Sequence, residues 1–249
     1  IWFLIAWFSH SSMIRRATGS KPLERKENKR VYNLTENLCI SRGMKIPKIY
    51  IIEDDSLNAF ASGLSDKTFA VSLSRGIINK LEDDELEAVI AHELTHIINR
   101  DVRLLIVSII FVGIFAFITE MAFRSLRYAG RGRGKKEGGA LAIVLIVVVL
   151  GIIGMILSSF FRFALSRKRE YLADAGAAEM TKNPLALASA LKKISKDPWI
   201  EAVKRDDVAQ MFIDHPTKKK DRKSIGVFFN GIFATHPPIK ERIQILEQF

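Results

Sequence analysis

His92-Glu93-Leu94-Thr95-His96 is the stretch of this chain best suited to chemistry. It lies in the apolar-periodic run Glu85 to Ile98, which reads as a helix. Two histidines four residues apart share one helix face, so their imidazoles reach a single ion. A glutamate directly after the first histidine completes the pattern of zinc hydrolases, with Glu93 as the base. Zinc held by two neutral imidazoles and a carboxylate keeps one position open and lowers the pKa of a bound water to about 7. Glu93 is then basic enough to take that water's proton as it attacks a carbonyl.

The missing oxygen ligand is offered by Arg169-Glu170-Tyr171-Leu172-Ala173-Asp174, where Glu170 and Asp174 stand one helical turn apart. On a charged helix this spacing alone describes a solvated face. Beside the first motif it predicts Glu170 as the third ligand. Asp174 is then placed to accept the outer ring N–H of a ligand histidine, which fixes its tautomer.

At these residues the chain resembles the HtpX-type membrane zinc metalloproteases, gluzincins that share a superfamily with the prenyl-protein endopeptidases of eukaryotes. The resemblance runs through Asn58-Ala59-Phe60-Ala61, then His92 to His96 with Asn99 and Asp101, then Ser166 to Asp174, then Thr235-His236-Pro237-Pro238 with Arg242. It implies an α+β, mainly helical, zincin-like domain with a small edge sheet and a transmembrane helical hairpin. It also implies one Zn2+ per chain and proteolysis of proteins or peptides, membrane proteins among them, in quality control. Asn58, Ala59, Phe60 and Ala61 would line the cleft and pair with an extended substrate, His236 would steady an oxyanion, and Asn99, Asp101 and Arg242 would support the site. A bacterial inner membrane with the catalytic domain in the cytoplasm is the implied location.

The elements that must position these groups can be read along the chain. Residues 1–10 look like the end of a truncated membrane helix, since Ile1 to Phe8 is apolar and Arg15 and Arg16 follow. Residues 11–103 form the first part of the catalytic domain. Within it Lys21 to Arg42 reads as an amphipathic helix with Val31, Leu34 and Leu38 on one face. Lys48 to Ile52 and Thr68 to Leu73 read as strands with a turn at Gly63 to Asp66, which puts Asn58 to Ala61 at or beside a sheet edge. Leu104 to Phe123 carries one charge, Glu120, and Ala140 to Phe161 carries none, so both are long enough to cross a bilayer. Between them, residues 124–139 read as a basic loop. Residues 162–249 complete the domain, with a helix led by Pro184 and another opened by Pro237-Pro238. No proline interrupts His96 to Leu104 or Phe161 to Glu170, so each ligand helix is expected to run unbroken into a span, with its ligand about 12 to 14 Å above the hydrocarbon.

The net charge of +11 raises the question of nucleic acid. No zinc finger, aromatic RNA-binding signature or phosphate loop accompanies it, and beside membrane segments a basic face suits anionic headgroups. The basic residues Arg124, Arg127, Arg131, Arg133, Lys135 and Lys136 would face outward in the implied topology, against the positive-inside tendency, though Arg15, Arg16, Arg167, Lys168 and Arg169 enrich the other side as well. The single cysteine, Cys39, excludes an intramolecular disulfide and reads as a packed helix residue. Three alternatives compete: a prenyl-protein processing peptidase, a zinc-stabilised membrane scaffold without turnover, and a transporter. The scaffold has no use for Glu93, and the transporter would need charges at the bilayer midplane.

Overall fold

The computed structural model describes residues 2–129, 138–196 and 237–249. Among them follow α1 (Trp2–Thr18), β1 (Lys21–Pro22), α2 (Lys29–Ser41), β2 (Lys48–Ile52), β3 (Ala59–Ser62), β4 (Ala70–Ser74), α3 (Arg75–Lys80), α4 (Asp83–Ile98), α5 (Asp101–Ala129), α6 (Gly138–Thr181), α7 (Pro184–Ile194) and α8 (Ile239–Leu246). The expected mainly helical α+β class is what these elements build.

The strands form one sheet in the order β1-β2-β4-β3. β2 and β4 pair in parallel, and β3 pairs antiparallel with β4, so β3 is an edge in hydrogen-bonding terms. Alternation turns Ile49, Ile51, Val71, Leu73, Ala59 and Ala61 to one face. They join the apolar core with Leu86, Val89, Ile90 and Leu94 of α4. Between β3 and β4 the chain turns at Gly63, whose φ is +113° and where a Cβ would stand 2.5 Å from the Thr68 carbonyl oxygen. Glycine alone fits there.

The helix expected from Lys21 begins eight residues later. Pro22 has no N–H to continue a helix and lies in β1 opposite Tyr50. Asn28 then caps α2, its side chain accepting the Val31 N–H at 3.0 Å. Cys39 is buried in α2, and burial pushes its thiol up to about 11.

α5 and α6 pack along one another. The pairing is antiparallel, because Asp101 of α5 meets Arg169 of α6, while a Cβ on Gly151 would collide with Thr119. Both intervals are eighteen residues, about 27 Å of helix. Asp101–Ala122 is long and apolar enough to cross a membrane, and Leu145–Gly154 is the apolar stretch described in α6. Phe111, Phe117 and Ile118 of α5 and Leu150, Ile153 and Ile156 of α6 are exposed, a surface that suits lipid better than water. The loop expected over 124–139 is narrower, since α5 continues to Ala129 and α6 starts at Gly138; residues 130–137 lie outside the described residues.

One expectation about the hairpin holds and its counterpart fails. α6 runs unbroken for 44 residues and carries Glu170. The other ligand helix does break: α4 ends at Ile98, Asn99 caps it, and Arg100 takes a left-handed φ of +60° before α5 starts. That conformation costs a non-glycine residue about 1 to 2 kcal/mol. Its return is positional. In a continuous helix, residues 96 and 101 would point about 140° apart, at 100° per residue. The reversal at Arg100 instead brings Asp101 to the ring of His96.

Candidate metal centre

α4 is held at its head by acidic residues that suit its dipole, Asp83, Asp84 and Glu85, and by the Glu85 carboxylate accepting the Glu82 N–H at 2.9 Å. Its ligand face lies against α6 at a close approach. A Cβ on Gly176 would sit 2.5 Å from Thr95 Cγ2, so the absence of a side chain there lets the two ligand helices touch. Thr95 itself is fixed, its hydroxyl donating to the Ala91 carbonyl at 2.8 Å.

That contact gathers His92, His96 and Glu170, whose ligand atoms lie within 4.8 Å of one another. His92 Nε2 is 3.2 Å from His96 Nε2 and 3.6 Å from Glu170 Oε2, and His96 Nε2 is 3.5 Å from Glu170 Oε1. Tetrahedral zinc with bonds of about 2.0 to 2.1 Å spaces its ligand atoms about 3.3 Å apart. The outer nitrogens are already spoken for. His92 Nδ1 stands 3.0 Å from Asp174 Oδ1, and His96 Nδ1 stands 3.0 Å from Asp101 Oδ2. Carboxylates only accept, so a proton on each Nδ1 would leave both Nε2 lone pairs turned toward the cluster. Neighbouring lone pairs repel unless a cation lies between them.

Charge counting agrees. Asp174 is gripped by Arg242 through Nε at 2.8 Å and Nη2 at 2.7 Å, and Arg242 Nη1 reaches Glu170 Oε2 at 3.2 Å. Asp101 is paired with Arg169. Glu93, Asp101, Glu170 and Asp174 thus face two guanidinium groups, and one divalent cation would balance the two remaining charges. Burial alone would pull the His92 ring down, but Asp174 and Glu170 outweigh it and lift its pKa to about 9, so without a cation in the cluster the ring holds a second proton, which a metal at Nε2 would replace. Burial likewise would raise Asp174, yet Arg242 and His92 hold its carboxyl below its usual range. The residues present fit a single zinc.

Glu93 is buried next to the cluster. Burial and the Glu170 charge raise its pKa, against the opposing pull of both histidines and of the nearby Ala61 N–H. A carboxyl pushed upward in this way is suited to accept a proton near neutrality. The Ala61 N–H therefore points away from β4 and into the site. Asn58 fixes the strand's start, its N–H donating to Ser74 Oγ and its side-chain oxygen accepting the Ala59 N–H, both at 3.0 Å. β3 is nonetheless buried along its length, Phe60 included.

This geometry has known counterparts. The chain matches the model of Peptidase family M48 over residues 25–249. It belongs to that family. This M48 peptidase is 62% identical to the protease HtpX homolog of Bacteroides fragilis, with all of the chain and 77% of the relative covered. It is 40% identical to the HtpX homolog of Listeria monocytogenes over 99% of the chain and 82% of the relative. The crystal structure of S. mikatae Ste24p has the same fold with a TM-score of 0.55 at 19% identity, over 99% of this chain and 58% of that longer one. The expected activity follows: this M48 member is a membrane metalloendopeptidase, and neither a scaffold nor a prenyl-protein processing enzyme is favoured.

Of the residues singled out in the sequence, His92, Glu93, His96, Glu170, Asp174, Asp101, Arg242 and Ala61 meet in one place. Asn99 does not join them; it is exposed at the α4 C-cap, where its N–H bonds the Thr95 carbonyl at 2.9 Å. His236 lies outside the described residues. Arg169, in sequence a part of the basic flank of a span, pairs with Asp101, which in turn meets His96. Its signal was its place directly before Glu170, a position that turns toward the neighbouring helix.

Proposed function

We propose that His92, His96 and Glu170 hold one zinc ion and that Glu93 is the general base of peptide hydrolysis. The convergence of the three ligand atoms beside a buried carboxylate of raised pKa carries this reading. When bound, zinc supplies the Lewis acidity that makes a water nucleophilic near pH 7. Glu93 accepts that water's proton and passes it to the leaving nitrogen. Asp174 and Asp101 hold the imidazoles in the ligating tautomer, and Arg242 holds Asp174 and Glu170 in place. The substrate lies extended along the edge of β3 that β4 leaves unpaired, its N–H groups donating to the Ala59 and Ala61 carbonyls, and His236 steadies the oxyanion.

The same reading places the chain in a bacterial inner membrane, through spans at 104–123 and 140–161, with the catalytic parts 11–103 and 162–249 on the cytoplasmic side and damaged membrane proteins as substrates. The exposed apolar faces of α5 and α6 support the spans, and the bacterial relatives support the membrane. The test is Glu93→Gln in the full chain, with zinc content and casein cleavage measured together. Zinc should stay stoichiometric while cleavage falls by at least about 100-fold. Cleavage near the wild-type rate would refute the role of Glu93, and loss of zinc would show that Glu93 itself ligates.

A further inference from the structure

The sheet face turned away from α4 carries a cavity that the catalytic reading does not use. Arg15 of α1, Lys48 and Tyr50 of β2, Ser62 of β3 and Ser72 of β4 line it, around a cavity of about 30 Å³. The strand register puts these groups on one face, with Tyr50 opposite Ser72 and both Lys48 and Ser62 opposite Ala70. Among the described residues no carboxylate lines the cleft. Arg15 is aimed by its Nη1 bond to Tyr50 Oη at 3.2 Å and by stacking over the same ring. Among the described residues, the Lys48 ammonium and the Ser62 and Ser72 hydroxyls have no hydrogen-bond or ion-pair partner. Two cations and two hydroxyls with no anion between them describe a receptor for a phosphate oxygen cluster.

We propose that this cavity binds the phosphate of an anionic phospholipid headgroup. Position selects the lipid source. α1 ends in Arg15 and Arg16 and packs against α5, the helix long enough to span a membrane. β3, which supplies Ser62, also packs against α5, so the cavity lies near the point where the chain leaves the catalytic domain for the bilayer. A headgroup seated there would tie α1 to the sheet whose edge, one residue before Ser62, carries Ala61 beside Glu93.

The inference rests on α5 crossing a membrane, which alkaline-resistant flotation of the full chain with vesicles tests by itself. The headgroup site is tested by native mass spectrometry of the full chain in detergent, titrated with phosphatidylglycerol, phosphatidylcholine and glycerol phosphate. Phosphatidylglycerol should bind at least tenfold more tightly than the other two. Lys48→Gln should weaken it about fivefold, the equivalent of about 1 kcal/mol per cation at a membrane surface. Ser62→Ala with Ser72→Ala should weaken it further, and Lys182→Gln, an equal loss of exposed charge elsewhere, should change nothing. Unaltered zinc content certifies each variant's fold. Equal losses in the Lys48 and Lys182 variants would overturn the site in favour of diffuse surface charge. So would glycerol phosphate binding as tightly as the lipid, which would make the ligand a soluble anion.

Discussion

Replacing Asp174 with asparagine keeps the side chain's shape and can keep an oxygen facing His92, but it removes the anion that Arg242 was folded around. Arg242 has no exposed surface and Asp174 is 5% exposed, so water cannot stand in for the lost charge. Breaking such a buried pair from one side costs about 3 to 5 kcal/mol. The guanidinium must then draw on Glu170, already 3.2 Å away, and so competes with the metal for its third ligand. Asp101→Asn makes the same chemical change under the other histidine. There the carboxylate is 11% exposed and its partner Arg169 is 26% exposed, so solvent takes up the orphaned charge. Zinc affinity, measured by competition with a chromophoric chelator, should fall about 10- to 100-fold for Asp101→Asn and more than 100-fold for Asp174→Asn. Removing both charges with Asp174→Asn and Arg242→Gln together should be milder than the sum of the single changes. An equal loss for the two asparagine variants, or a larger one at Asp101, would refute the claim that burial of Arg242 sets the difference.

Gly176→Ala should force α4 and α6 apart and weaken zinc binding at least tenfold, and adding Thr95→Ala should restore it; a single variant with wild-type zinc affinity would refute the close-approach account. Ala61→Pro removes the N–H that reaches Glu93 and should lower kcat while zinc stays bound, whereas unchanged kinetics would deny that strand a part in the reaction. Burial raises the Glu85 carboxyl, but Lys193, Ser189 and the Glu82 N–H outweigh it and leave its pKa lowered. Its contribution is therefore fully present above the unfolded value of about 4.3 and disappears as pH falls through the lower folded value. Glu85→Gln should lower the thermal midpoint at pH 7, with the gap to wild type closing by pH 3; a gap unchanged at pH 3 would contradict this.

The clustering of His92, His96 and Glu170 was legible because its logic is periodic: four-residue spacing puts His92 and His96 on one face, and Glu170 and Asp174 on another, whatever the rest of the chain does. What depended on turns was harder. The absence of proline between His96 and Leu104 favoured a continuous helix, yet Asn99 and Arg100 end it by a left-handed residue that no composition signal marks. Pro22 and Asn28 did mark the late start of α2, and the apolar pattern of Val31 and Leu38 obscured them. Arg169 was hidden for a different reason. Its charge fitted the flank of a membrane helix as well as it fits a carboxylate, and only the packing of α5 on α6 decides between the two.

The distribution of the centre along the chain also sets when it can exist. His92 and Glu93 leave the ribosome first, Glu170 comes seventy-eight residues after His92, and Arg242 comes a hundred and fifty after it. Between them lies the apolar pair α5 and α6, and Asp101 and Arg169 can meet only once both helices are made. A partly made chain thus carries the hydrolytic motif without the carboxylate, the guanidinium or the membrane anchor that would arm it.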